Sequence, residues 1–397
     1  MTHRHLLPWH RALAIALCAW SSGCASPARH HATAALATPS RPATIAWWNT
    51  PRRGANFFNR VETDARFRAA AAAGIGLVRL APDKWETRER DFLLGDADAY
   101  RGLVPADLAR LRAVLDLAHA RGVRVVLTML SLPGCRWRQH NGDVNDLRLY
   151  REERFQAQAI EFWRELAGAL RGHPAIVGYN LLNEPRPERA PDTRGFDLSG
   201  FYARVVAAVR TVDATTPIVL DASDDASPAA FARLRPIDDP AVLYALHMYE
   251  PWPFIDHRNR GQIRYPGAVP DDDAPGGSRL WNADATAAWL EQVARWQRAH
   301  GVPSSRIFAE EFGCPRTHDG AAQWLTDVLD AIEHHGWHWA FYSFREDTWD
   351  AMDYELGTAP LPPGYWSAVE AGHPPTLVHT DTLLWRTLAR RFANRRD

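Results

Sequence analysis

The sequence predicts an α/β protein with a single (β/α)8 barrel, the TIM-barrel fold, and long loops after strands 6 and 8. Short apolar runs alternate along the chain with longer stretches of helical spacing, a pattern that indicates a parallel sheet covered by helices. Eight such units follow one another, which is the number that closes this barrel. Polar side chains stand at the ends of the apolar runs, where barrel enzymes carry their active sites.

The eight predicted strands share an apolar, β-type composition. In chain order they are Arg53–Phe58, Ile75–Ala81, Val123–Leu130, Ile176–Leu182, Pro217–Leu220, Val242–Met248, Ile307–Phe312 and Trp337–Phe344. Amphipathic stretches between and after them predict helices. The clearest are Pro105–Arg121, Arg151–Arg171, Gly200–Val212, Asp284–His300, Ala321–His335 and, last, Thr380–Arg391. Because no internal repeat or second domain is visible, residues 45–397 are interpreted as one catalytic domain.

Bulk composition narrows the classes of function. The chain has 397 residues, of which 46% are hydrophobic, enough for a sizeable core. Its formal net charge is -1, whereas proteins that bind nucleic acid or anionic membrane surfaces favour a basic excess. The sequence therefore predicts neither nucleic acid nor a membrane surface as a main partner, and we expect a monomer.

The first 24 residues predict an export signal. Basic and histidine residues precede the apolar stretch Ala12–Trp20, which is too short to cross a bilayer. Gly23-Cys24 resembles the end of a bacterial lipoprotein signal, but Ser21 stands where that pattern prefers leucine, so lipidation of Cys24 and ordinary cleavage both stay open. Residues 25–44 are interpreted as a flexible tether. We expect an exported protein that is secreted, periplasmic or lipid-anchored at the cell envelope.

Cysteine usage gives little sign of metal binding. Beyond the signal region the chain has Cys135 and Cys314, and export would permit a disulfide between them, although two free thiols are the preferred interpretation. No CxxC motif or His/Cys cluster predicts a metal site. The chemistry expected below requires no metal and no organic cofactor.

Two glutamates carry the predicted chemistry. Glu184, preceded by Asn183, closes the fourth apolar run, and Glu311 lies near the end of the seventh. Charged groups at the ends of apolar strands are costly to bury unless they are paired. Two carboxyl groups at a barrel rim suit a retaining glycosidase, one as proton donor and the other as nucleophile. Glu310 is the rival nucleophile, and strand alternation predicts that only one of the two neighbours faces the site.

Tryptophan is the second clue to function. The chain contains 17 of them, and a flat indole can cover the apolar face of a sugar ring. Tryptophans in segments that follow strand ends therefore predict a polysaccharide cleft, although about half of them are expected only to anchor loops. They are Trp85, Trp137, Trp252, Trp281, Trp349 and Trp366.

Six short matches, in order on the expected elements, resemble glycoside hydrolase family 5, the cellulase-like family of retaining (β/α)8 enzymes. The resemblance runs from about residue 53 to residue 344. The matches are Arg53-Gly-Ala-Asn56, Gly76-Leu-Val-Arg-Leu80, Leu132-Pro-Gly134, Asn183-Glu-Pro185, His247-Met-Tyr249 and Glu311-Phe-Gly313.

This resemblance implies a role for each strand-end residue. Glu184 corresponds to the general acid/base and Glu311 to the nucleophile. The other implied site residues bind the substrate or support the carboxylates. Asn56 is one of them, and Asn183 would bind the sugar 2-hydroxyl. Arg79 and Tyr249 would hold Glu311 ionised, and His247 would orient the acid/base region.

The chain departs from the family at two positions. Leu130 stands near the end of the third strand, where the family usually has a histidine, and Tyr342 replaces the tryptophan that usually floors the sugar site. Tyr342 is still expected under the sugar. The segment from Glu250 to Trp281 is predicted to be a loop without regular structure that lies over the cleft, with Trp252 as a substrate platform.

Three functions remain in competition. The first is a retaining hydrolase of a β-linked glucan, mannan or related polysaccharide or oligosaccharide. The second is an exo-acting β-glycosidase or a transglycosylase, and segments 251–281 and 345–379 would decide between endo and exo action. The third is a carbohydrate-binding surface protein without turnover, which the complete set of site residues argues against. In the enzyme, Glu184 is expected to keep its proton near neutral pH, because two close carboxyl groups cannot both ionise cheaply.

Overall fold

Eight parallel strands close into a barrel, which confirms the predicted fold class. Around the barrel the order is β1-β10-β9-β6-β5-β4-β3-β2. The strands are β1 (Arg53–Phe57), β2 (Leu77–Leu80), β3 (Arg124–Thr128), β4 (Ile176–Asn180), β5 (Ile218–Asp221), β6 (Val242–Met248), β9 (Ile307–Phe312) and β10 (His338–Phe341). Their side chains are buried almost throughout because the sheet is covered on both faces.

The computed structural model describes residues 45–58, 62–190, 195–259, 261–346, 352–365, 368 and 375–393. All of them belong to one compact unit, Ser40–Asp397. The predicted export signal, the tether, Cys24, Trp349 and Trp366 lie outside the described residues. In the part that is described, no helix combines the length and apolar character needed to cross a bilayer.

Helices follow the strands as the sequence pattern indicates. The long ones are α1 (Asp64–Ala72), α2 (Pro105–Ala120), α3 (Glu153–Leu170), α4 (Leu198–Arg210), α7 (Ala283–Ala299), α8 (Ala321–His334) and α9 (Leu383–Ala393); the four-residue turns Ser223–Ala226 and Trp252–Ile255 are α5 and α6. Helix α1 had not been predicted, because its alanine-rich sequence shows little contrast between an apolar and a polar face. Thr63 caps it by accepting a hydrogen bond from the backbone of Arg66.

The segment after β6 has regular structure, so the predicted irregular loop is wrong. Strands β7 (Gly267–Pro270) and β8 (Ser278–Trp281) pair as an antiparallel hairpin, with Gly267 opposite Trp281. Trp281 is buried, and its indole N–H donates to Thr286 in α7. The hairpin is thus fixed to the barrel through Trp281, which anchors the segment.

Trp48 closes the amino-terminal end of the barrel. It lies in the short helix Ile45–Asn49, has no exposed surface, and packs on the barrel-facing side chains of the strands. Its indole N–H donates to the carbonyl oxygen of Val177 in β4, at 2.9 Å. The interior is therefore filled from this end, and the opposite end, where the strands finish, is left for polar groups.

A β-bulge in β9 decides which side chains reach that polar end. Leu246 pairs with Ala309, but the next residue, His247, pairs with Glu311. Glu310 is therefore the extra residue of a bulge, and the strict alternation of side chains between the two faces fails at this position.

Candidate active site

Arg79, near the end of β2, lies at the centre of the polar cluster and is fully buried. One nitrogen, Nη1, donates to Oε1 of Glu311 at 2.5 Å. The other, Nη2, donates to Oδ1 of Asn183 at 2.7 Å and to Oδ1 of Asn180 at 2.8 Å. The planar guanidinium thus holds a carboxylate and two amides in one fixed arrangement, which a flexible ammonium could not do.

Glu311 accepts hydrogen bonds on both carboxylate oxygens. Besides the contact with Arg79, its Oε2 accepts from the Tyr249 hydroxyl at 2.8 Å. Burial and the neighbouring charge of Glu311 raise the pKa of Tyr249 well above its usual range, so this hydroxyl stays a donor. Two such donors fix the orientation of the Glu311 carboxylate, as a nucleophile requires.

Glu184 lies on the turn after β4 in a left-handed conformation, with φ of 51°. Its backbone N–H donates to Oδ2 of Asp221 at 3.0 Å. Its Oε1 lies 3.0 Å from Nδ1 of His247, and its Oε2 accepts from Nη2 of Arg186, also at 3.0 Å. Such a conformation is costly for a residue other than glycine, and it persists here because these contacts fix the carboxylate.

The pKa of Glu184 corrects one expectation about the free protein. Burial by itself raises this pKa, but the hydrogen bond and charge of His247, followed by the charges of Arg186 and Arg79, outweigh burial and leave it below its usual range. The expectation that Glu184 keeps its proton near neutral pH is therefore wrong for the empty site. The positive groups around Glu184 stabilise its carboxylate form.

The two carboxyl groups are close together. A carboxylate oxygen of Glu184, one of Glu311 and a ring nitrogen of His247 all lie within 4.8 Å of one another. Retaining glycosidases place their two carboxyl groups about 5 Å apart, whereas inverting enzymes leave about 6.5–9.5 Å for a water molecule. Measured between these two oxygens, the separation lies on the shorter, retaining side of the two ranges.

Glu310 also faces the barrel interior, so the prediction that only one of the two neighbours does so is wrong. The Glu310 side chain is fully buried, and its Oε1 lies 3.2 Å from Nη2 of Arg79 and 3.5 Å from Nε2 of His247. Burial, more than any neighbour, raises its pKa well above the usual range. The bulge in β9 turns both glutamates inward, with Glu310 behind His247 and Glu311 towards Tyr249.

His247 lies between the two sets of carboxylates. Burial alone lowers the pKa of His247, but Glu311, Glu184 and Glu310 together raise it well above the usual range. The charged imidazolium can donate from both ring nitrogens. His247 therefore orients Glu184 while Arg79 and Tyr249 orient Glu311.

Asn56 and Asn183 take different positions in the site. Asn56, expected to bind substrate, is fully buried and donates to the backbone oxygen of Glu310 at 2.8 Å, so it supports the bulge. Asn183 is 4% exposed and uses its oxygen for Arg79, which turns its amide nitrogen outward as a potential donor. Asn180 and Asp221 join the same network, because Asn180 donates to Asp221 at 2.6 Å. Both are polar residues at strand ends, so the sequence pattern that indicated Glu184 and Glu311 could also have identified them.

The aromatic residues divide into anchors and candidate platforms. Trp85 and Trp281 are buried and act as anchors, whereas Trp252 is 43% exposed. Tyr342 is buried at the end of β10, with its ring 5.7 Å from that of Phe58 in an edge-to-face contact. The Phe58 ring also lies 5.1 Å from the guanidinium of Arg79, so Tyr342 is close to the carboxylate cluster rather than among the outer helices.

Carboxylates and histidines that could hold a cation form three groups. One is Glu184, His247 and Glu311; the second is Asp221, His247 and Glu310; the third is Asp353, Glu355 and His379. Arg79 already compensates the charge of the first two, and Arg345 forms an ion pair with Glu355 in the third. These arginines occupy the position that a cation would take, so the groups fit ion pairing better than metal binding. Cys135 and Cys314 are free thiols.

Comparison with known proteins identifies the family. A family model described as cellulase (glycosyl hydrolase family 5) matches residues 40–348. A β-xylosidase of Phanerodontia chrysosporium is 32% identical over 129 residues, which are 32% of this chain and 26% of that protein. Endoglucanase C of Acetivibrio thermocellus is 25% identical over 220 residues, 53% of this chain and 59% of the relative. The chain thus matches between about a quarter and three fifths of these relatives' lengths.

Solved structures agree with the barrel. An endoglucanase of Pseudomonas stutzeri superposes with a TM-score of 0.59 at 20% identity, covering 86% of this chain and 94% of that one. An endoglucanase of Thermotoga maritima gives a TM-score of 0.56 at 18% identity, covering 74% and 89% respectively. At this level of identity the similarity establishes the fold.

Proposed function

The chain belongs to glycosyl hydrolase family 5, and from that premise we propose that it is a retaining hydrolase of β-linked glucans or related glycans. The family match supports glycosidase chemistry, and the site supplies the groups for double displacement. Glu311 is the proposed nucleophile and Glu184 the proposed general acid/base. No step requires a group that the side chains do not supply.

In the first step the carboxylate of Glu311 attacks the anomeric carbon of the bound sugar. The bond to the leaving oxygen breaks as Glu184 donates a proton to that oxygen, so the leaving sugar departs as an alcohol. Arg79 and Tyr249 keep Glu311 aimed by holding both of its oxygens. Asn183 is positioned to donate from its amide nitrogen to the sugar 2-hydroxyl.

In the second step the ester of Glu311 is hydrolysed. Glu184, now a carboxylate, takes a proton from a water molecule, which attacks the anomeric carbon and releases Glu311. His247 and Arg186 are in place to stabilise the carboxylate form of Glu184 during this step. The second inversion restores the original configuration of the sugar.

The short distance between Glu184 and Glu311 carries the proposal, and product stereochemistry tests it. Proton NMR of the first products from a β-glucan oligosaccharide should show the β anomer before mutarotation. Glu184→Gln should lose activity on that substrate, whereas on an aryl glycoside with an acidic phenol azide should restore turnover by attacking the glycosyl ester and yielding a β-glycosyl azide. An α anomer as first product would contradict the retaining mechanism.

The preferred glycan and the mode of attack form a separate part of the proposal. Three of the proteins named above are endoglucanases, which favours internal cleavage of a β-glucan, whereas the β-xylosidase relative favours the exo-acting alternative. Incubation with β-glucans, mannans and xylans, followed by analysis of product sizes, distinguishes the two modes. A ladder of intermediate lengths indicates endo action, and a single small product indicates exo action.

Export remains a proposal that the described residues do not address. A hydrolase of polymeric glycans acts outside the cytoplasm, because its substrates do not enter the cell. Mass spectrometry of the amino terminus from the native host distinguishes a diacylated Cys24 from simple cleavage. An intact Met1 in a cytoplasmic fraction would contradict export. The same measurement tests the predicted signal and the possible lipid anchor.

A further inference from the structure

Both side-chain oxygens of Glu184 are occupied by hydrogen-bond donors. Oε1 faces Nδ1 of His247 and Oε2 accepts from Nη2 of Arg186, each at 3.0 Å. Both contacts are strongest with the carboxylate form, because a protonated carboxyl group has lost its negative charge and carries a donor of its own. Protonation of Glu184 before it acts on a leaving group therefore favours opening of one of the two contacts.

Of the two donors, Arg186 is the one that can move. The side chain of His247 is 1% exposed and lies between Asp221 and Glu310, whereas that of Arg186 is 21% exposed. Arg186 also has a second carboxylate partner, because its Nε donates to Oδ1 of Asp225. The guanidinium can therefore leave Glu184 while it stays held by Asp225.

Asp225 is presented to Arg186 by an unusual backbone. Asp224, Asp225 and Ala226 have φ of 52°, 60° and 57°, a left-handed run without a glycine. Each such residue is costly and persists where the surroundings impose it, often at functional sites. Oδ2 of Asp225 also accepts from Arg189 at 2.7 Å, so Asp225 is held from both sides.

A small cavity adjoins Arg186 and Glu184. Its volume is about 40 Å³, and its lining includes Glu184, Arg186, Trp137 and Tyr150 but not Glu311. The indole N–H of Trp137 is buried and has no acceptor among the described residues. One residue of the cavity lining thus has an unpaired donor, for which a sugar hydroxyl is a suitable acceptor.

We propose that Arg186 is a positioning residue that holds Glu184 as a carboxylate in the empty enzyme and moves to the leaving-group sugar when substrate binds. This inference rests on the proposed hydrolase function. Once the guanidinium has moved, Glu184 takes one proton from solvent. It passes that proton to the glycosidic oxygen as the bond to carbon breaks and Glu311 bonds to the same carbon.

The ionisation of Glu184 depends on groups from several elements. Positive charge comes from His247 on β6, Arg79 on β2 and Arg186, and negative charge comes from carboxylates on β5, β9 and the left-handed turn. The groups near Glu184 are Arg79, Arg186, Asp221, Asp225, His247, Tyr249, Glu310 and Glu311. Arg186 lines the cavity together with Glu184, and Asp225 accepts a hydrogen bond from Arg186, so substrate can change the effect of both.

Three variants separate the charge of Arg186 from its packing. Arg186→Gln should move the basic limb of the kcat/KM profile to higher pH, because Glu184 loses a cation. Asp225→Asn should move it to lower pH, because a negative charge is lost and Arg186 keeps only Glu184 as a partner. Arg189→Gln, which also breaks a contact with Asp225 but does not touch Glu184, should leave the limb close to that of the wild type.

Infrared difference spectra follow the same carboxyl group without turnover. For each variant, the spectrum is compared with that of the matching protein that also carries Glu184→Gln, which isolates the protonated carboxyl band of Glu184. The band should appear at higher pH in Arg186→Gln and at lower pH in Asp225→Asn. Unchanged titration in Arg186→Gln would overturn the proposal, even if the protein hydrolysed none of the glycans tested.

A leaving-group comparison tests the movement of Arg186. Arg186→Gln should lower kcat/KM about tenfold or more for an oligosaccharide, because a charged hydrogen bond to the leaving sugar is lost. It should change kcat/KM little for an aryl glycoside of the same sugar with an acidic phenol, which needs neither that contact nor a proton. Equal losses on both substrates would show that Arg186 serves only the structure of the site.

Discussion

Arg79 illustrates how much of the chemistry depends on single residues. Its guanidinium is fully buried, and an isolated charge in that position would be very costly. Glu311 compensates that charge with an ion pair at 2.5 Å, and the buried carboxyl group of Glu310 lies 3.2 Å from the guanidinium. Arg79 thereby stabilises a dense cluster of carboxyl groups. Of the two glutamates, Glu311 also accepts a hydrogen bond from the Tyr249 hydroxyl.

The different surroundings of the two adjacent glutamates predict different losses on substitution. Glu311→Gln should reduce kcat by at least about a thousandfold, since it removes the nucleophile. Glu310→Gln should retain most of the activity, because burial already favours the neutral form of Glu310, which a glutamine side chain resembles. Steady-state rates on one oligosaccharide give the comparison. A near-complete loss in Glu310→Gln with an active Glu311→Gln would reverse the assignment.

Tyr342 provides a second test at this scale. Tyr342→Ala should lower kcat/KM by about tenfold or more, because a ring that shapes the sugar acts in the transition state as well as the ground state. Tyr342→Phe keeps the ring and its edge-to-face contact with Phe58, and serves as the control. Equal activity of the alanine variant and wild type would remove Tyr342 from the sugar site.

At the scale of residues, the expectation that site residues lie at the ends of barrel strands identified most of the cluster. It did not predict which carboxyl groups are ionised. Glu184, Glu311, Arg79, His247 and Tyr249 meet at one end of the barrel, as parallel strands require. Arg186 gave no signal, since an arginine two residues after a strand-end glutamate is unremarkable in sequence. The ionisation of Glu184 depends on where that guanidinium lies in three dimensions, which no spacing reveals.

At the scale of elements, regular strands were predictable and their irregularities were not. The bounds of β6 and β9 coincide with the predicted apolar runs. The bulge at Glu310 could not be foreseen, because it depends on the register between two strands rather than on the composition of either. The β7–β8 hairpin escaped notice because its short strands are largely exposed and lack an alternating pattern.

Trp252 tests whether the segment after β6 serves the substrate. It begins the turn Trp252–Ile255, and its indole is 43% exposed, whereas Trp281 in the same segment is buried. Trp252→Ala should raise KM for long oligosaccharides more than for short ones, because a platform remote from the cleaved bond contacts only longer chains. Trp252→Phe is the matched control. Equal changes for both lengths would show that Trp252 only anchors the turn.

At the scale of the whole molecule, the amino-terminal end of the barrel links stability to pH. His338 on β10 is fully buried, accepts from the backbone N–H of Arg52 through Nδ1, and packs its ring against Trp48. Burial lowers the pKa of His338 from 6.5 to about 3. The native state therefore holds this imidazole neutral, while the unfolded chain binds a proton below pH 6.5.

The sign of the effect follows from proton binding. Between pH 6.5 and about 3 the unfolded state carries one more proton at His338, so stability falls as pH falls, by up to about 1.4 kcal/mol per pH unit from this group. His338→Gln should reduce the slope of unfolding free energy against pH in this window by that amount. Urea unfolding at a series of pH values measures both slopes, and equal slopes would contradict the prediction.

The position of Trp48 has a practical consequence for handling the protein on a solid support. The helix Ile45–Asn49 meets the barrel at the amino-terminal ends of its strands, and the carboxylate pair lies at the other ends. A fusion partner or affinity resin joined ahead of Ile45 is therefore attached on the face remote from the cleft. A protein immobilised in this orientation would keep the end of the barrel that carries the carboxylate pair accessible to an insoluble fibre.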